Sequence, residues 1–345
     1  MDDLKAEFAR LKARRDTGRR KALEDFHERL ARLTFFDPAC GCGNFLVIAY
    51  RELRELETAL LRELHPPEQR VTDIGLYTKI NVDQFYGIES EEFPVRIAEV
   101  AMWMTDHIMN VRLSGNFGQN YLRIPLRVSP NIRHADALEI DWADVLEPEK
   151  CSYIFGNPPF SGSKYQSEAQ RVQVRRIAGL GGSGGSLDYV CAWFVKAGAY
   201  IRNSTAHIAF VATNSVTQGE QVAQLWPILF DRYGLEIAFA HRTFEWYSDA
   251  RGRAHVHCVI VGLTKRADEP KEKRLFSYES IDGEPVTSVH TALSPYLFDA
   301  SRLQTDIWSS KRPTGRLRTL NVQSLDRSRL MVATTFLLSK SVQNF

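Results

Sequence analysis

The chain has 345 residues, 44% of them hydrophobic and 25% charged, with 44 Lys and Arg against 42 Asp and Glu for a net charge of +2. This composition supports a sizeable core and excludes disordered and fibrous classes, while so even a charge balance gives nucleic acid no global attraction and leaves phosphates only local basic patches. No apolar run reaches the roughly 18 residues of a spanning helix, and the leading MDDLKAEFARLKARRDTGRR lacks the apolar core of a signal peptide, so membrane and export classes fall away.

Residues 1–33 place Leu4, Phe8, Leu11, Leu23, Phe26, Leu30 and Leu33 among many charges, a spacing that predicts two amphipathic helices broken near Thr17 and Gly18 and serving as a packing or linker lead. Residues 34–36 then run as a short strand into DPACGCGNF and the helical LVIAYRELRELETALLREL. After the break HPPEQR, VDQFYGIE reads as a second strand and EEFPVRIAEVAMWMTDHIMN as a second helix, an alternation that implies a parallel sheet. A third strand lies around IRHADAL, and SYIFG is a fourth, stopped by two prolines.

Residues 161–186, SGSKYQSEAQRVQVRRIAGLGGSGGS, are expected to form a mobile loop with one helical turn. Helix LDYVCAWFVKAGAYI, strand HIAFVAT, helix EQVAQLWPILFDRY and strands LEIAFAH and HVHCVIVGL follow, the last two as an antiparallel edge hairpin that closes the sheet. The predicted fold is α/β and doubly wound, a mostly parallel sheet with that edge hairpin, over residues 34–264. The charged stretch Lys265 to Lys273 marks a boundary, and 265–345 read as an irregular tail. Cys40, Cys42, Cys151, Cys191 and Cys258 are odd in number and lie in apolar or glycine-rich segments, which fits a reducing cytoplasm.

The chemistry-bearing residues sit where these strands end. A strand, a glycine turn and a helix form an anion or cofactor site, because close backbone approach needs glycine and the helix amino end carries partial positive charge. Here the turn is Gly41, Cys42, Gly43, without the Lys and Ser/Thr pair of a phosphate loop and without a full GxGxxG fingerprint. Asp37 before it repels a pyrophosphate and suits a cofactor with a cationic end. Glu89, at the end of the second strand, is able to accept two hydrogen bonds from a ribose diol; a glutamate at a strand end is also common without function. Asp136, by itself, reads as a helix cap.

Asn157, Pro158, Pro159 and Phe160 stand where the fourth strand releases the chain into the ligand crevice. An aromatic amine is a poor nucleophile because its lone pair is delocalised into the ring. An Asn side-chain oxygen and a proline-held carbonyl, both accepting from the NH2, favour a pyramidal nitrogen, and Phe160 offers a face for a planar base, worth roughly 1 to 3 kcal/mol. An isolated NPP also serves as a plain turn.

DPACGCGNF followed by NPPF resembles the adenine-N6 DNA methyltransferases in which the cofactor motif precedes the catalytic motif. The wider set FFDPACGCGNFLVIAYRELRELE, VDQFYGIESEEFP, IFGNPPF and VATNSVTQGEQV is similar to the modification domain of large single-chain type II restriction-modification enzymes, over about residues 34–264. The resemblance implies a Rossmann-like methyltransferase fold, S-adenosyl-L-methionine as cofactor and a flipped adenine in double-stranded DNA as acceptor. It places Asp37, Pro38, Ala39, Gly41, Gly43 and Phe45 in the cofactor loop, Glu89 at the ribose, Asp136 near the cofactor adenine, and Asn157, Pro158, Pro159 and Phe160 in the catalytic motif.

Lys164, Arg171, Arg175 and Arg176 follow that motif and are placed to grip distorted DNA, while Phe244, Trp246 and Tyr247 form an aromatic cluster suited to the other face of the flipped base. His255, His257 and Cys258 alternate along a strand, so no metal site is expected. Relatives of this kind continue upstream and downstream into nuclease and target-recognition regions, so the chain reads as truncated at both ends and a separate specificity or nuclease chain is an expected partner. The alternatives are a non-catalytic remnant or subunit that binds cofactor or DNA, and a methyltransferase for RNA bases or protein glutamine.

Overall fold

The computed structural model describes residues 1–66, 74–118, 128–181, 186–246, 256–280 and 283–301. Successive side chains of a strand point to opposite faces, and in β1 (Phe35–Asp37) all three residues are buried. Phe35 packs with Leu23, Leu30, Leu46 and Leu53, which come from α2 (Arg19–Leu30) and α3 (Asn44–Leu64); α1 (Asp2–Ala13) adds Phe8 to the same cluster. Phe36 instead joins Trp142, Phe194, Phe210 and Trp226, partly from α6 (Cys191–Tyr200) and α7 (Gly219–Pro227). Helices therefore cover both faces, as a doubly wound sheet requires.

Among the described residues nine strands form one sheet, in the order β3 (Asn131–His134), β2 (Phe85–Glu89), β1, β4 (Tyr153–Gly156), β5 (His207–Thr213), β7 (Val256–Lys265), β6 (Leu235–Trp246), β8 (Lys273–Tyr278) and β9 (Pro285–His290). The pairs from β3 through β5 are parallel, and β7 runs antiparallel to both β5 and β6. It follows that β6 points the same way as β5, and β8, parallel to β6, does too. The carboxyl ends of β1, β2, β4, β5, β6 and β8 thus share one edge, where open parallel sheets bind ligands.

Two segments differ from the sequence expectation. Within 161–186, residues Glu168–Ala178 form α5, three turns instead of one. Its start is held by a capping box, in which Gln170 N donates to Ser167 Oγ at 3.2 Å and Ser167 N to Gln170 Oε1 at 2.9 Å. Its end is a left-handed Gly179, φ 63°, that lets the Leu180 amide reach back to the Arg175 carbonyl. Residues 182–185 of the glycine and serine cluster lie outside the described residues.

The second difference is that the sheet continues past the β6–β7 hairpin into β8 and β9, within the stretch expected to be irregular. The charged run there is part of the fold: Lys273 is buried, with Glu269 at 2.8 Å and Glu236 at 3.5 Å. Arg274 of β8 also pairs with Asp3 of α1 at 2.9 Å.

Candidate functional site

Asp37 ends β1, fully buried. Its Oδ1 accepts from the Ala39 amide at 3.0 Å, and its Oδ2 has no partner. Burial pushes its carboxyl up to about 7; the Ala39 hydrogen bond opposes this and the charge of Glu89 adds to it. The chain then turns through Gly41, φ 54°, and Gly43, φ 83°, both in the left-handed region that glycine tolerates. Gly43 has a second reason, since a Cβ there would lie 3.0 Å from the Cβ of Ala98, in α4 (Glu92–Phe117).

Neighbouring elements lock the loop. Gly41 N donates to Glu89 Oε2 at 2.9 Å, and Glu89 Oε1 accepts from Glu91 N at 3.0 Å. Trp193 Nε1 of α6 donates to the Pro38 carbonyl at 3.0 Å. Glu89 therefore stands beside the glycine turn, at the end of the strand that pairs Gly87 with Asp37.

β4 adjoins β1 on its other side. A Cβ on Gly156 would fall 2.4 Å from Asp37 Oδ1, so only glycine lets the β4 backbone pass this close. Asn157 follows at once, and its Oδ1 is a second buried oxygen with no partner. Pro158 is buried and Pro159 exposed. Phe160, Phe45 and Tyr278 pack on the buried cluster of Val211, Phe244 and Cys258, so Phe45 and Phe244, both singled out in the sequence, share one cluster with the Phe160 of the NPPF segment. The Trp246 side chain, Tyr247 and His255 lie outside the described residues.

Asp136 follows β3 and, instead of capping a helix, closes a turn, its Oδ1 accepting from Leu138 N at 2.8 Å. Its Oδ2 accepts from Gln173 of α5 at 2.9 Å, and Tyr189 Oη donates to the same Gln173 at 2.7 Å. The four basic residues do not converge. Arg176 bonds Glu139 at 2.7 Å and Arg171 lies 3.7 Å from Glu168, whereas among the described residues Lys164 makes no ion pair and Arg175 Nε is buried without a partner. His257 is exposed and Cys258 buried, on opposite faces of β7, and among the described residues no group of three His, Cys, Asp or Glu is placed to hold a metal ion.

Asp188 is the site residue that sequence reasoning missed. Buried just before α6, it accepts from the Ser163 amide at 3.0 Å and from Thr213 Oγ1 at 3.3 Å, with Ser215 Oγ also bonded. It ties the chain after Phe160 to the carboxyl end of β5. In the sequence it is one more aspartate ahead of a helix, and only the sheet order reveals the link.

The DNA-methyltransferase domain model of MmeI matches residues 12–277, well over half of the chain. The chain belongs to the MmeI DNA-methyltransferase domain family. DNA methyltransferase A of Bacillus subtilis (strain 168) is 38% identical over 286 residues, covering 81% of this chain and 31% of that protein. The solved structure of the type IIL restriction-modification enzyme MmeI in complex with DNA is 51% identical with a TM-score of 0.81, covering 86% of this chain and 39% of that one. This chain thus spans about a third of the length of either relative. Among the described residues no helix is long and apolar enough to cross a membrane.

Proposed function

We propose that this member of the MmeI methyltransferase family transfers the methyl group of S-adenosyl-L-methionine to N6 of an adenine turned out of double-stranded DNA, in the cytoplasm, as part of a restriction-modification system. The observation that carries this is the pair of buried oxygens without partners, Asp37 Oδ2 and Asn157 Oδ1, at the ends of adjacent strands. Buried polar atoms are rarely left unsatisfied; among the described residues six others also lack a hydrogen-bond partner, but only these two stand at the carboxyl ends of neighbouring parallel strands, where they mark acceptor positions for two donors, one from a cofactor and one from a substrate.

The residues fit the cofactor. Asp37, neutral for part of its population near pH 7 while unpartnered, gains by facing an ammonium group. The left-handed glycines bring backbone close, and Glu89 stands at the next strand end for a ribose diol. When bound, the cofactor supplies a methyl group on cationic sulfur, an electrophile suited to an amine. Asn157 Oδ1 accepts one N–H of the adenine amine and the Pro158 carbonyl the other, drawing the nitrogen lone pair out of conjugation. Phe160 stacks on the base, and Phe45 and Phe244 back it. Turning the nucleotide out costs a few kcal/mol, offset here by that stacking and by cations of the following segment, Lys164 and Arg175 foremost. Recognition of a particular site, and any cleavage, falls to further polypeptide in the same chain or a partner.

The test is transfer of labelled methyl from S-adenosyl-L-methionine to unmethylated duplex DNA, followed by digestion to nucleosides. N6-methyladenine is the expected product. Label on RNA, on protein or on cytosine, or cofactor binding without transfer to any DNA, overturns the assignment.

A further inference from the structure

At the same carboxyl edge, beyond the aromatic cluster, a cavity of about 420 Å³ is lined by Thr217, Gln218, Arg242, Thr243, Tyr278 and Tyr296, among others. The added strands make it: Tyr278 ends β8, Arg242 and Thr243 lie on β6, and Tyr296 belongs to the turn after β9. It adjoins the proposed active site on two sides. Thr243 precedes Phe244, which packs with Phe160, and Thr217 lies two residues beyond Ser215, which bonds the Asp188 that holds Ser163.

Its lining is neutral apart from Arg242, and no carboxylate is part of it. Arg242 Nε donates to the Leu297 carbonyl at 2.8 Å, which orients the guanidinium and leaves its two terminal nitrogens. Leu297 has φ 55°, a left-handed conformation that leucine adopts only at a cost, and this turn is closed by Ser294 with Leu297 and Phe298. Among the described residues no Asp or Glu pairs with Arg242. A positive, pre-oriented planar fork in a cavity of hydroxyls and amides suits an anion with several acceptor oxygens. Beside it Tyr296 and Phe298 stack at 6.0 Å with ring planes 17° apart, and both rings are exposed. A bare inorganic anion has no use for that platform, whereas a nucleotide has a planar base.

We propose that this cavity is a second nucleotide subsite, in which Arg242 holds a backbone phosphodiester of the DNA strand next to the extruded adenine and the Tyr296–Phe298 pair stacks on a neighbouring base. This rests on the reading of the site as one that acts on DNA. A grip beside the turned-out nucleotide holds the backbone in its distorted path while Asn157 engages the base.

The test measures binding of a fluorescein-labelled DNA duplex across a salt series, with wild-type protein, Arg242→Gln, Arg242→Lys, Tyr296→Ala and, as a control at the opposite edge of the sheet, Arg202→Gln. Loss of one phosphate contact lowers the slope of log affinity against log salt by about 0.9, and Arg242→Gln is expected to show this with about tenfold weaker binding at low salt. Arg242→Lys keeps the slope, and Tyr296→Ala weakens binding without changing it. An unchanged slope for Arg242→Gln, or an equal change for Arg202→Gln, overturns the subsite. If Arg242→Gln does not fold, Arg242→Lys and Tyr296→Ala decide it, and wild-type affinity in both overturns it. Methyl transfer to the same DNA is followed in parallel: a slope change with no transfer by wild type leaves the subsite standing and removes the methylation reading.

Discussion

Two groups of buried polar side chains are treated in opposite ways. Between α2, α3 and α4, Arg54 donates to Asp106 Oδ1 at 3.0 Å, to Tyr50 Oη at 2.7 Å and to Asn110 Oδ1 at 2.8 Å, and its Nε lies 3.2 Å from Glu57 Oε2. Glu57 Oε1 in turn accepts from the Lys79 and Ile80 amides, at 2.6 and 3.1 Å, and meets His27 Nε2 at 2.8 Å. At the sheet edge, Asp37 has a single backbone amide and Asn157 Oδ1 has nothing. Leaving a buried polar atom unpaired costs about 1 to 3 kcal/mol. In the Arg54 layer the two atoms that make no hydrogen bond, Arg54 Nε and Glu57 Oε2, face each other as an ion pair, whereas Asp37 Oδ2 and Asn157 Oδ1 face no partner at all and are held for something that arrives later.

The largest expected effect comes from breaking the satisfied region. Arg54→Met strands Glu57 and Asp106 in the core, and removal of one partner from a buried ion pair costs about 3 to 5 kcal/mol. In a domain of this size that lowers the thermal midpoint by about 10 °C, read by scanning calorimetry. The unsatisfied region behaves differently: Asn157→Ala is expected to lower methyl transfer by about 10² to 10³, the range seen when one preorganised charge-stabilising group is lost, with cofactor affinity and thermal midpoint close to wild type. A harmless Arg54→Met, or an Asn157→Ala that unfolds the protein, would erase the distinction.

The two regions also differ in how far the sequence discloses them. DPACGCGNF and NPPF are contiguous, and their chemistry follows from neighbours along the chain: a carboxylate before left-handed glycines, an amide before prolines. The Arg54 layer is hidden because RELRELE reads as a solvated helix face, yet α2 and α4 enclose α3 and turn Arg54 and Glu57 inward. Asp188 is hidden for the same reason, since its partners Ser163, Thr213 and Ser215 lie about 25 residues away in sequence and meet only through the parallel order of β4 and β5. For α5 a signal was present. Ser167 and Gln170 are a capping box, outweighed by the glycines that follow. For β8 the decisive partner is β6, joined in register only from Phe239↔Arg274 to His241↔Phe276, and no local pattern announces so short a parallel contact.

Phe160 combines two roles, since it packs on the Val211, Phe244 and Cys258 cluster and stands three residues after Asn157 in NPPF. Phe160→Leu keeps apolar bulk and removes the stacking surface, so it separates these roles. The expected outcome is a loss of about tenfold in transfer, within the 1 to 3 kcal/mol attributed to base stacking, carried mainly in the KM for DNA, with Phe160→Tyr restoring most of it. An equal loss of thermal stability in Leu and Tyr variants would make Phe160 a core residue alone.

The smallest effect is the most diagnostic, because it turns the cost of the unsatisfied region into a pH dependence. Burial raises the Asp37 carboxyl from 3.8 to about 7, so the folded protein without ligand holds that proton more tightly than the unfolded chain. Its contribution to stability is therefore present at low pH, declines as pH rises from about 4 through 7, and levels off above. Asp37→Asn removes this slope and should raise the thermal midpoint above pH 7 while weakening cofactor binding. The cofactor's ammonium group needs the ionised carboxylate, so affinity should fall by up to tenfold for each pH unit below about 7, equivalent to about 1.4 kcal/mol, and level off above. Calorimetric titration across that range reads it directly, in the wild type and the Asp37→Asn variant alike. A flat profile in wild type would mean that Asp37 is ionised without the cofactor, and the bare oxygen at the end of β1 would then lose its claim to be a waiting acceptor.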